Sequence, residues 1–217
     1  RGESMKPFDR ASVLQIRGAA KVSLDRYAPA IQDFEAALRL DALPAAQNEQ
    51  LRYNIAQLHF QTENYAQAVR HFNDWLAKAE TPSDNAYYML AAAHYYQKQY
   101  ANARAPIERA MQLASQPNRR HFDLANIIYS ELDQKAPRTR LLQRMIEHWP
   151  AEQSYWKQLA ALQMEQGQER QAFTTMELAY RSGLLTEEAD LLTLAQFYSV
   201  HNNPHRGAAM LEKEMAD

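Results

Sequence analysis

The amino-acid sequence predicts an all-α protein, an array of about six helical hairpins laid side by side. Three observations predict it. Glycine is scarce, at 5 residues in 217, while alanine, leucine and glutamine, all good helix formers, are plentiful. One pattern of small and large apolar residues recurs with a period of roughly 34 to 38 residues. Proline stands at the joints between copies, at Pro44, Pro82, Pro117 and Pro150, where it stops one helix and leads the chain into the next unit.

Taken in order, residues 1–10, RGESMKPFDR, carry none of the pattern and are expected to form a flexible N-terminal segment. The array occupies 11–217. The first copy, near 11–44, enters its first helix with Leu14, Arg17 and Gly18 and sets Ala30, Phe34 and Ala37 on its second. The second, near 49–82, has Arg52, Ile55 and Ala56, then Ala68, Phe72 and Trp75. The third, near 84–117, has Tyr87, Leu90 and Ala91, then Ala103, Ile107 and Ala110. The fourth, near 119–150, departs most: Phe122 and Ala125 keep the pattern, but Asn126 and Arg138 stand at small-residue positions. The fifth, near 153–184, has Trp156, Leu159 and Ala160, a short polar turn with Gly167, then Ala172, Met176 and Ala179. The sixth, near 188–217, has Leu191, Leu194 and Ala195, then Gly207 and Leu211, with Pro204 where an aromatic would precede the second helix.

These residue types follow from packing. A small residue on each helix of a pair lets two backbones approach closely, and large apolar residues three or four places away fill the space around the contact. Tyr27, Tyr65 and Tyr100 recur just before the second helix, where each packs against the hairpin turn. Trp156 is expected in the core between the fourth and fifth copies. A lone hairpin leaves its apolar stripe in water, whereas stacked hairpins cover it.

WKQLA at Trp156–Ala160 followed by Ala172 and Ala179, YAQAVRHF at Tyr65–Phe72 and YANARAPI at Tyr100–Ile107 resemble the tetratricopeptide repeat, or TPR. The resemblance covers about 11–217. It implies a right-handed α-solenoid of about six TPR helical hairpins, whose first helices line a concave groove for a protein or peptide partner. More narrowly, AYYMLAAAHYYQKQYANARAPIERAM, YWKQLAALQMEQGQERQA and SGLLTEEADLLTLAQFY resemble the TPR proteins of Gram-negative envelopes that accompany TonB–ExbB–ExbD energy-transducing systems. That resemblance implies a scaffold exported to the periplasm or cell envelope, with a component of a TonB-type complex as its partner. An intracellular TPR adaptor or co-chaperone of the cytoplasm is one alternative. A regulatory module of an enzyme whose catalytic part lies elsewhere is another. The start of the chain, RGESMKPFDR, does not resemble a natural start, so a leader or anchor ahead of it stays open.

Composition narrows the chemistry. Lys plus Arg, 24, nearly balances Asp plus Glu, 26, so no strong field favours nucleic acid. The longest apolar run, AYYMLAAAHYY from Ala86 to Tyr96, falls short of the roughly 20 residues that span a bilayer. The absence of cysteine excludes disulfides, thiol catalysis and cysteine-based metal sites. No phosphate loop, H-E-x-x-H or G-x-S-x-G pattern occurs, so neither catalysis, cofactor nor metal is expected. His59 and His94 share one offset in neighbouring copies, where TPRs often carry tyrosine, and are expected to be semi-buried rings closing their helix pairs. His201 and His205 flank Pro204 and are expected in a turn. The acidic residues near His121 and the basic cluster Arg119, Arg120, Lys135, Arg138, Arg140 and Arg144 are expected to be solvated faces; a dock for an acidic partner is the other reading of the basic cluster.

Counting helical offsets from the TPR pattern places the partner-binding residues. They are Tyr53, Gln57, Phe60 and Gln61 in the second copy and Tyr88, Ala92, Tyr95 and Tyr96 in the third. Arg120, Asp123 and Ile127 follow in the fourth, and Lys157, Ala161 and Met164 in the fifth. Tyrosine is enriched at binding hot spots. TPRs that grip a C-terminal carboxylate use lysine and asparagine at set offsets; here Asn54 alone matches, so a helix or a proline-containing extended segment is the expected ligand. The last helix, RGAAMLEKEMAD, keeps Ala208, Met210, Leu211 and Met215 apolar, which allows a homodimer through a terminal repeat.

Overall fold

The computed structural model describes residues 5–216. Among them the chain forms twelve helices and no strand: α1 (Pro7–Val22), α2 (Tyr27–Arg39), α3 (Ala45–Gln61), α4 (Tyr65–Leu76), α5 (Asp84–Tyr96), α6 (Tyr100–Leu113), α7 (Arg119–Glu131), α8 (Lys135–His148), α9 (Gln153–Glu165), α10 (Glu169–Arg181), α11 (Glu188–Val200) and α12 (Pro204–Ala216). The helices alternate as the first and second members of six hairpins, as the period predicts. Thus α1 packs on α2, α3 on α4, α5 on α6, α9 on α10 and α11 on α12. Part of the expected N-terminal segment is helical: α1 already begins at Pro7. Proline suits that first position because its missing N–H would have no intrahelical partner there. Residues 1–4 and 217, part of the expected N-terminal segment and of the array, lie outside the described residues.

Contacts divide the chain into two units, one up to Ile128 and one from Tyr129. In the first, Ala11, Ala30, Ile31, Phe34, Ala37, Leu51 and Ile55 form one cluster of buried residues, and Ala56, Ala68, Phe72, Leu90 and Ala93 another. In the second, Ala160, Ala172, Met176, Ala179, Leu191, Leu194, Tyr198 and Met210 cluster across α9 to α12. The seam alanines Ala30, Ala56, Ala68, Ala91, Ala103 and Ala172 are all 0% exposed. Trp156 departs from expectation. It is half-buried at the rim of the second unit's core, and its Nε1 donates to the Pro150 carbonyl at 2.8 Å. The buried ring is its neighbour Tyr155, because adjacent helical positions point about 100° apart and one step moves a side chain to another face.

Every hairpin turns on one device. Asp25, Glu63, Lys98, Asp133, Gly167 and Asn202 each have positive φ, from 49° to 70°. The next residue in each case (Arg26, Asn64, Gln99, Gln134, Gln168 or Asn203) donates its backbone N–H to the carbonyl five places back, at 2.8 to 2.9 Å. Those carbonyls belong to Lys21, His59, His94, Tyr129, Gln163 and Tyr198. This is a Schellman closure, which needs the left-handed conformation at its pivot. Gly167 supplies it without a Cβ penalty, and the other five pivots adopt it with side chains.

In three hairpins the residue whose carbonyl closes the turn also meets the residue twelve places on. In the first hairpin Lys21 Nζ meets Asp33 at 2.6 Å. In the second, His59 stacks on His71 at 5.0 Å between ring centres. In the fifth, Thr175 Oγ1 donates to Gln163 Oε1 at 2.8 Å. These inward pairs form a rung across each of these hairpins. His94 closes its own turn through Nδ1 and Gln99 Oε1, 2.8 Å apart.

The first rung carries a pH dependence. The Asp33 side chain is 6% exposed and also takes two hydrogen bonds from Arg17, at 2.8 and 2.5 Å. The Arg17 hydrogen bond, aided by Lys21 and opposed by burial, holds its carboxyl down from 3.8 to about 2. A folded pKa below the unfolded one adds stability above the unfolded value, and that stability is lost as pH falls through the folded value. Thermal melts should therefore weaken between about pH 4 and pH 2. Asp33→Asn should flatten that part of the acid profile; an unaltered slope would remove Asp33 as its source.

Candidate functional site

The first unit holds eleven of the expected groove residues, and their surroundings differ. The Tyr53 ring lies 4.8 Å from Trp75 and edge-on to Phe72 at 6.0 Å, and its hydroxyl accepts from Asn85 Nδ2 at 3.0 Å. Phe60 meets Tyr65 and Tyr96 edge-on, at 5.5 and 6.0 Å, while Tyr65 and Tyr96 stack at 4.8 Å. Burial, then Glu63, raises the Tyr65 phenol above its ordinary range. Tyr95 touches Tyr96 and Tyr100. Of these rings Tyr96 is the one turned outward, at 55% exposed. Tyr88 stacks on His121 at 5.2 Å, and the Arg120 guanidinium lies 4.8 Å from its ring centre. Burial keeps His121 below the usual histidine range, so the ring under Tyr88 is neutral at pH 7. Asp123 pairs with Arg119 at 3.7 Å, and Ile127 is 40% exposed. Ala92 corrects the expectation: at 4% exposed it offers a ligand almost no surface, since helical spacing alone does not show which neighbour covers a face.

The first helices of three successive hairpins share a cleft of about 430 Å³. Ala19 and Val22 of α1, Phe34 of α2, Asn54, Gln57, Leu58, Phe60 and Gln61 of α3, and Met89 of α5 line it. Three expected residues, Gln57, Phe60 and Gln61, therefore meet in one place, while Tyr53, Tyr88, Tyr95 and Tyr96 lie outside its lining. Gln57 Nε2 reaches Met89 Sδ at 3.8 Å, Gln61 Nε2 donates to Tyr27 Oη at 2.7 Å, and Asn54 accepts from Gln50 at 2.8 Å. Apolar rings, a thioether and side-chain amides thus line one cleft. Each amide offers both a donor and an acceptor, the same pair a peptide unit presents.

In the second unit Lys157 is engaged rather than free. It lies 3.0 Å from Asp190 and 3.1 Å from Glu187, and the bond to Asp190, then that to Glu187, raises its pKa. Met164 is 41% exposed. A larger, polar cleft of about 800 Å³ lies at the α9–α10 turn, where Gln143, Gln163, Gln168, Gln171 and His201 contribute to its walls. Sequence reasoning missed it; the recurrence of glutamine beside Gly167 was the available signal. His201 sits in the turn and stacks on Phe173 at 5.0 Å, but His205 belongs to α12, because Pro204 opens that helix instead of breaking it. Within the basic cluster, Lys135 lies 3.5 Å from Glu165, and Arg138 donates to Gln158 at 3.2 Å.

No family model matches the chain. The Drosophila melanogaster protein Bride of doubletime is 32% identical over 98 residues, 44% of this chain and 33% of that protein, so the chain spans about a third of the relative's length. Among solved structures, MamA is similar with a TM-score of 0.61 at 15% identity, over 79% of this chain and 91% of its own. YrrB, described as a TPR protein with an unusual peptide-binding site, gives 0.62 at 14%, over 84% and 90%. A TPR protein of Parabacteroides merdae gives 0.55 at 16%, over 99% and 80%. At such identities the likeness establishes the fold, an all-α array of TPR-type helical hairpins.

Proposed function

We propose that the chain is a non-catalytic protein-interaction scaffold, and that it holds an extended segment of a partner polypeptide in the cleft between α1, α3 and α5. One observation carries this reading: Asn54, Gln57 and Gln61 line a cleft whose other walls are apolar, Val22, Phe60 and Met89 among them. A helical ligand has already satisfied its backbone groups and would need an apolar groove alone. An extended one leaves N–H and C=O groups free, and side-chain amides can take both. A peptide-binding site in YrrB, a protein of the same fold, supports the reading.

The test is selection from a random peptide library on the immobilised chain, followed by anisotropy titration of the selected peptides. Gln57→Ala with Phe60→Ala should weaken them about 30-fold or more, given roughly 2 kcal/mol for a buried aromatic contact. Lys98→Ala, at an exposed turn, should leave affinity unchanged. Peptides that bind the double variant as tightly as the parent would eliminate this cleft.

The finer assignment, to a Gram-negative envelope and a TonB-type complex, rests on the likeness of the three segments named above. Recovery of the native protein in the periplasmic or membrane fraction, crosslinked to such a complex, supports it. Recovery in the cytosol favours the adaptor reading. A homodimer through the last repeat is supported by Met215, 86% exposed on α12, and is tested by light scattering across a concentration series.

A further inference from the structure

The rung of the second hairpin differs in kind from its neighbours. The first hairpin sets a cation against a carboxylate there and the fifth an amide against a hydroxyl. The second sets His59 of α3 against His71 of α4, with ring planes 13° apart. A third group arrives from the preceding hairpin, Glu35 of α2, and one ligand atom from each of the three residues lies within 4.8 Å of the others. An equivalent approach occurs at Glu177, which accepts from the Tyr198 hydroxyl at 3.2 Å and pairs with Arg181 and Arg206. At Glu35 the carboxylate meets two imidazoles, with a 3.8 Å contact to Arg39.

The imidazoles are short of partners. His59 is 9% exposed, and its Nδ1 is buried with no hydrogen bond. Burial holds both rings below the usual histidine range; His71 reinforces this at His59, and Glu35 opposes it at both. Neutral rings keep a lone pair each, the form a metal requires. As mere packing, a stacked pair with a buried, unbonded nitrogen is worse than an apolar pair of the same shape.

We propose that Glu35, His59 and His71 form a binding site for a zinc-type divalent transition-metal ion, clamped between the first and second hairpins with a fourth position open to water. Two imidazole nitrogens and a carboxylate oxygen are a donor set that zinc takes at about 2.0–2.2 Å, which places tetrahedral ligand atoms roughly 3.4 Å apart. The present spread closes by turning the two rings out of their stack, so that both lone pairs meet at one point, and by swinging the half-exposed Glu35 side chain, 38% exposed, inward. His59 stands between Leu58 and Phe60, which both line the 430 Å³ cleft. An ion here therefore fixes the end of α3 that presents the cleft.

Metal-free protein titrated calorimetrically with zinc chloride should take up one ion per chain. With free zinc at a hundredfold its dissociation constant, the melting temperature should rise by about 5 °C or more, and EDTA should reverse the rise. Glu35→Gln and His71→Gln, both at half-buried positions, should each lower zinc affinity about tenfold or more while melting like the parent without metal. The double variant His201→Gln, His205→Gln should bind zinc as the parent does. The proposal is overturned if the parent binds zinc no more tightly than Glu35→Gln and His71→Gln do, or if binding is lost in the His201/His205 variant instead.

Discussion

Phe72→Ala is expected to lower the unfolding free energy of the first unit by about 3–5 kcal/mol. The ring is 0% exposed and sits in a cluster with Ala56, Ala68, Leu90 and Ala93, drawn from α3, α4 and α5. Three of those four neighbours are alanines, which have no side chain to swing into the vacated space. The Tyr53 ring that meets Phe72 edge-on is itself held by Trp75 and Asn85, so the cavity closes only in part and the loss stays within the range for a phenylalanine truncation. Urea denaturation followed by circular dichroism is the check. A loss below about 1 kcal/mol would mean that the α3–α4–α5 seam relaxes far more than its small residues allow.

Gly18→Ala tests the same seam from the opposite side. On an exposed helix face the change would add about 1 kcal/mol of stability, because alanine is the better helix former. Here a Cβ would lie 2.3 Å from Phe34 Cε1 and 2.5 Å from Cδ1. Phe34 is 3% exposed and packed in the first unit's core, so its ring must be displaced from that packing to admit the methyl group. Overpacking of this kind costs about 1–3 kcal/mol and outweighs the propensity gain. Gly207→Ala should be milder, since its nearest contact is 3.1 Å, to Tyr198 Cβ. Thermal melts should rank Gly18→Ala below Gly207→Ala and both relative to the parent; a Gly18→Ala protein more stable than the parent would show that Phe34 moves freely.

The hairpins were legible in the sequence because small residues and joint prolines recur at fixed offsets, and both report backbone geometry directly. Gly18, Ala56 and Ala68 mark where helices touch, and Pro44 stands immediately before α3. Of the turn pivots, only Gly167 was singled out in the sequence. Glu63 and Lys98 adopt the same left-handed pivot, but neither residue type signals it. Exposure was harder to read. Ala92 and Tyr96 lie four apart on one helix, yet one is covered and the other open, and offsets along one helix do not show which neighbour covers which part of a face. Trp156 and Tyr155 exchanged roles through a single helical step. The meeting of Glu35, His59 and His71 could not be read from any one segment, since it joins three helices of two hairpins. The twelve-residue interval between the two histidines was the available trace.

The bond that closes each turn, from the residue after the pivot to the carbonyl five places back, joins main-chain groups. The side chains that meet across a rung are therefore not needed to close the turn and can differ from hairpin to hairpin. A chain assembled this way can carry an ion pair in one storey, imidazoles in another and an amide with a hydroxyl in a third. New interior chemistry can then arise while the architecture around it is left as it was.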